Sequence, residues 1–170
     1  MEIEFFSLIF LHVAFGIVWA GGAIAAGLFI IPAVVDAGPA GGAVMAGVLK
    51  RRFPAFLSAA AIVVVLTGVR LYMVRYTSAW LTTGEGLVIT IGAVLGLGAF
   101  IIGFFVQRPL ATKLGQMAGA IAASGAPPTP AQAEELAAMR QRLVRFAALT
   151  AWHLIGAVLF MSVHRLATMF

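Results

Sequence analysis

Four long runs of apolar residues, at about 5–35, 54–76, 86–106 and 146–168, leave this chain little choice of fold. Each supplies at least the roughly 20 residues that an α-helix needs to cross ~30 Å of hydrocarbon at 1.5 Å per residue. None alternates polar with apolar positions, as the ~10-residue strands of a membrane β-barrel do. Only 10% of the chain is charged and 62% is hydrophobic, whereas a soluble domain carries about 25% charged residues. The expectation is an all-α protein, an integral membrane four-helix bundle forming one domain over residues 1–170.

The first run opens with Glu2 and Glu4 rather than a basic segment, and it far exceeds the 7–15 apolar residues of a secretory signal. It therefore reads as a retained helix. The absence of cysteine excludes disulfides, thiolate-bound zinc, iron–sulfur clusters and covalent Cys-x-x-Cys-His haem attachment. Asp36 and Glu85, the acids nearest the second to fourth runs, sit at helix ends, which argues against carboxylate-driven proton transport and hydrolysis.

The net charge of +5 has a topological explanation rather than a nucleic-acid one. Lys50, Arg51 and Arg52 fall in the first connection; Arg108, Lys113, Arg140, Arg142 and Arg145 fall in the third, at about 107–145. The second connection, from Thr77 to Gly84, holds no charge. The positive-inside rule then places the first and third connections in the cytoplasm, giving an N-out, C-out protein of the bacterial inner membrane. Within the third connection, Gly-Ala-Pro-Pro-Thr-Pro at 125–130 divides two helix-compatible segments, and Thr129-Pro130 predicts a helix start. A cytoplasmic helical hairpin is expected there. In the third run, Gly92-x-x-x-Gly96 with Gly98 and Gly103 permits close approach of backbones. Packing inside the bundle is the preferred reading of that stripe, and a homodimer contact the other.

Three histidines lie within or at the edge of the apolar runs: His12, His153 and His164. Ionisable groups are costly at bilayer depth, so each is a candidate functional residue. Imidazole also suits a metal or a haem iron. His153 and His164 are eleven residues apart, which puts them on one face of the fourth helix, ~16 Å apart in height. Gly16 follows His12 by one turn and Gly156 follows His153 by three residues, leaving clearance for a flat macrocycle. Arg70, Tyr72, Arg75 and Tyr76 near the outer end of the second run, with Arg165 at the end of the fourth, could pair with haem propionates. Met73, Met161 and Met169 suit copper, although packing is the ordinary role of such residues.

His12-x6-Trp19-x-Gly21-Gly22, with Pro32 beyond, resembles the first helix of the CopD-like family of small bacterial membrane proteins. Arg52-Phe53 leading to Leu66-Thr67-Gly68 looks like that family's second helix, and Met161-Ser162-Val163-His164-Arg165 is similar to its closing pattern. HemJ-type protoporphyrinogen oxidases share a similar His-x6-Trp first helix and bind haem b. That resemblance implies an axial role for His12, with Trp19 nearby. The second and third runs contain no lysine, unlike the HemJ pattern, so porphyrinogen oxidation is the weakest implication.

The expected function is haem b binding for electron transfer or redox sensing, within a lipid bilayer and in contact with a redox partner or larger complex. His12 and His153 are the expected ligands, with His164 a substitute for the second. Arg70 and Arg165 are the propionate partners, and Gly16 and Gly156 give clearance. A haem-free copper transporter or copper-handling protein is the alternative.

Overall fold

A computed structural model describes residues 2–75 and 78–164, and no strand occurs among them. Arg165, Met169 and Tyr76 lie outside the described residues. Helix α1 (Glu2–Ala25) passes through a π-helical segment (Ala26–Ile30) into α2 (Ile31–Asp36), then comes α3 (Gly38–Lys50). Helix α4 (Phe53–Arg75) returns and is followed by the single turn α5 (Ser78–Leu81). Helix α6 (Gly84–Ile101) continues through a second π-helical segment (Ile102–Gln107) into α7 (Arg108–Ser124), and α8 (Pro130–Val163) closes the chain.

Among the described residues, four continuous helical spans are long and apolar enough to cross a membrane: Glu2–Asp36, Phe53–Val74, Gly84–Ser124 and Pro130–Val163. Their apolar side chains mostly face outward, as with Ile3, Phe6 and Ile17 on α1, and Phe56 and Leu66 on α4. Such a surface suits hydrocarbon rather than water, and helices satisfy their own backbone polar groups there. The third and fourth spans run on past the apolar runs into the 107–145 region as an antiparallel pair. Thr129 starts α8 with a capping box, its hydroxyl accepting from Gln132 N–H while the Gln132 side chain accepts from Thr129 N–H. Gly125 ends α7 in the left-handed conformation (φ 67°), where a Cβ would be strained.

Around the bundle, α1 packs on α4 and on α8, α6 packs on α8, and the α4–α6 seam is the thinnest. Little inter-helix stabilisation comes from excluding water in such an environment, so close backbone approach and small residues take over. The core shows this. Trp19 and Ala20 from α1 meet Ala60, Ala61 and Val64 of α4, Ala99 of α6 and Leu154 of α8. Gly92 and Gly96 face α8: a Cβ on Gly92 would lie 2.9 Å from Met161 Cγ, and one on Gly96 would touch Ala157. The four-residue glycine stripe is therefore used inside the chain.

Both π-helical segments lean on the same part of α8. Gly27, in the first, lies so close to α8 that a Cβ would sit 2.5 Å from Ala147 O. Gln107, ending the second, donates its amide to Phe146 O at 3.1 Å and to the buried Thr150 hydroxyl. Two wide turns thus clasp one polar spot on α8. Gly27→Leu is expected to destabilise the protein by about 1–3 kcal/mol through overpacking. Gly103→Ala, which meets nothing within 4 Å, serves as the neutral control. Thermal unfolding of the two variants in detergent checks this; equal melting temperatures would contradict the close α1–α8 contact.

Candidate functional site

His12 lies on α1 and aims its ring at α4. Its Nδ1 is 3.0 Å from Val64 O and 3.2 Å from Thr67 Oγ1. A carbonyl only accepts, so Nδ1 carries the proton, and a neutral ring then bears its lone pair on Nε2. Thr67 fits that assignment, since its own hydroxyl donates to Val63 O at 2.6 Å and keeps lone pairs for His12. Gly68 makes the approach possible: a Cβ there would lie 2.8 Å from His12 Cε1.

His153 repeats the pattern on α8. Its Nδ1 donates to Leu149 O, one turn earlier, at 2.8 Å. Its ring edge rests on α6 at Gly98, where a Cβ would lie 3.1 Å from Cδ2. His164, capping α8, donates Nδ1–H to Met161 O at 2.7 Å. All three imidazoles thus hold their Nδ1 protons on backbone carbonyls. Among the described residues no hydrogen bond reaches any Nε2. This is the tautomer in which metal-binding histidines are usually fixed.

The expected residues are not gathered into one cluster. His12 occupies the α1–α4 seam and His153 the α8–α6 seam, and the sparsely packed α4–α6 seam lies between their partner helices. No group of three His, Cys, Asp or Glu side chains able to hold a bare metal ion occurs among the described residues. Gly16 meets nothing within 4 Å, so the space beside it is open. The space at Gly156 is filled by Leu95, whose Cδ1 would be 2.9 Å from a Cβ. Trp19 belongs to the four-helix core. Met161 packs on Gly92, and Met73 is largely exposed.

Arg70 has a partner that the sequence reading overlooked. Its Nε and Nη2 reach Glu4 Oε1 at 3.0 and 2.6 Å, joining the C-terminal end of α4 to the N-terminal end of α1 with both side chains about half exposed. The guanidinium is thereby already neutralised. Further along, the Tyr72 hydroxyl donates to Thr90 Oγ1 at 2.9 Å, because Thr90 donates its own proton to Gly86 O at 2.6 Å. Tyr72 also meets Trp80 edge-on, with ring centroids 5.6 Å apart. These contacts tie α4, α5 and α6 together.

Sequence reasoning missed Gly68, Gly98, Thr67 and Glu4. Thr67-Gly68 was visible as a motif, but its role depends on a ring from a helix more than fifty residues away. Glu4 and Arg70 were legible as opposite charges at the same end of neighbouring helices.

No family model, curated protein or solved structure matches this chain. Its chemistry rests on its own residues.

The tautomers can be read directly. In 15N-histidine-labelled protein reconstituted in bilayers, His12 is expected to show a protonated Nδ1 and a bare Nε2. Gly68→Leu is expected to displace the ring and alter both resonances. A protonated Nε2 with bare Nδ1 in the wild type would overturn the hydrogen bond to Val64.

Proposed function

We propose that this chain is a multi-pass inner-membrane protein that binds one haem b and serves electron transfer or redox sensing. The observation that carries the reading is the shared state of the imidazoles: Nδ1–H tied to a carbonyl, Nε2 left as a donor. A bound haem b would supply reversible one-electron chemistry at its iron. His12 is the preferred ligand, with His153 or His164 as the second. The likeness of His12-x6-Trp19 to the CopD-like and HemJ-type first helix is a second, independent support.

Each side chain contributes by what it already does. Val64 and Thr67 orient the His12 ring and fix its tautomer through the Nδ1 hydrogen bond. Gly68 and Gly98, rather than Gly156, are the residues whose small size makes room at the two rings. Gly16 adds open space one turn from His12. Arg70 reaches a propionate only by exchanging Glu4 for it; Arg165, proposed for the same role, lies outside the described residues. Apolar helices around the two rings would keep water from a bound haem, and that burial, with the Nδ1 hydrogen bonds of the histidines, would tune its potential.

Absorption of the purified protein tests the reading. A Soret band with sharp reduced α and β bands is expected, and His12→Ala should remove them. Full retention of the spectrum in that variant would reject His12 as a ligand. A colourless preparation with stoichiometric copper would instead favour the copper-handling alternative.

The N-out, C-out orientation belongs to the same proposal. It is supported by the basic residues of the first and third connections and by the even number of spans. Because the chain has no cysteine, single-cysteine variants report topology cleanly. Ser78→Cys is expected to react with an impermeant maleimide on intact spheroplasts, and Ser124→Cys only after permeabilisation. The reverse pattern would invert the protein.

A further inference from the structure

At the junction of the second π-helical segment and α7, a groove of about 400 Å³ opens on the surface. It lies where the apolar run of the third span gives way to Gln107 and Arg108, so one end borders hydrocarbon and the other water. We propose that this groove holds one anionic phospholipid, with its phosphate at Arg108 and Lys113 and an acyl chain along Phe104 and Phe105.

The apolar end is built by the π-helical winding. In a π-helix the hydrogen bonds span five residues rather than four, so consecutive side chains fan out less than in an α-helix. Phe104 and Phe105 accordingly line one groove, with ring centroids 5.2 Å apart, and Phe100 stacks behind Phe104 at 5.5 Å. Phe105 remains 65% exposed, a large apolar face at the membrane boundary. An alkyl chain is the partner whose chemistry matches it.

The polar end is cationic. Arg108 holds its guanidinium over the Phe104 ring, 5.1 Å from the centroid, which fixes the charge at the groove while its N–H groups stay available. Lys113 uses one of its three donors on Glu135 Oε1 at 2.8 Å. The Thr112 hydroxyl donates to Arg108 O at 2.9 Å, so the two cations carry the anion. Glu135 opposes a phosphate and sets a limit on affinity, but Arg108 faces no such competitor among the described residues. A free anion would use only this end and leave the aromatic end idle. A lipid with a net negative headgroup uses both.

This inference needs the spans to cross a bilayer and does not need haem. Native mass spectrometry of the full chain in detergent, titrated with phosphatidylglycerol or phosphatidylcholine, tests it. Phosphatidylglycerol is expected to bind several-fold more tightly. Removing a juxtamembrane charge weakens attraction to anionic lipid about fivefold, so Arg108→Gln/Lys113→Gln should lose roughly 25-fold. Thr112→Trp, which fills the groove without removing charge, should lose a similar amount and guards against misfolding of the double variant. Arg140→Gln/Arg142→Gln, elsewhere on the basic hairpin, should bind as wild type. Equal affinity for the two lipids, unchanged binding by Thr112→Trp, equal loss in the hairpin control, or displacement by millimolar inorganic phosphate would each overturn the proposal. A failed lipid titration with an intact haem spectrum would sink the groove alone.

Discussion

The hydrogen bond from the His12 imidazole to the Val64 carbonyl organises much of this molecule. Within an apolar bundle an unpaired ring N–H would be costly, and the nearest acceptors belong to a helix whose carbonyls already serve its own ladder. Val64 and Thr67 solve this together: one offers a second lone pair, the other a hydroxyl whose proton is already directed elsewhere. The ring can come that close only because Gly68 has no side chain. Helix contact, tautomer and the availability of Nε2 follow from one arrangement.

His153 reaches the same state by a different route, using its own helix as acceptor and Gly98 of α6 as its seat. The two rings therefore belong to separate helix pairs, α1–α4 and α8–α6. Those pairs are joined mainly along α1–α8, and Gly27 of the first π-helical segment extends that contact by meeting Ala147. The α4–α6 seam stays thin, bridged toward the C-terminal end of α4 by Tyr72 and Thr90.

Most of the fold was legible because the length and hydropathy of the runs favour long helices apolar enough to cross a membrane, and Thr129-Pro130 marked the start of α8. The π-helical segments were not legible. Ala26–Ile30 and residues 102–106 are apolar like their neighbours, so nothing in their composition marks the wider winding. The candidate site was half legible. Histidines in apolar runs announce themselves, whereas the glycines that receive them stand on other helices and look like ordinary small residues. Gly156 illustrates the limit: its spacing from His153 suggested clearance for a ligand, yet Leu95 of α6 takes that space. Arg70 was read for its charge alone, and its partner Glu4 was read only as evidence against a signal peptide.

The central claim is that an imidazole Nε2 from this chain grips a haem iron. Pulsed electron paramagnetic resonance of the ferric protein, grown with 15N-histidine, probes that bond without relying on colour. Hyperfine coupling from 15N of imidazole, lost in the His12→Ala protein, is the expected result. An iron centre coupled only to unlabelled nitrogen, or no iron signal at all, would contradict the claim.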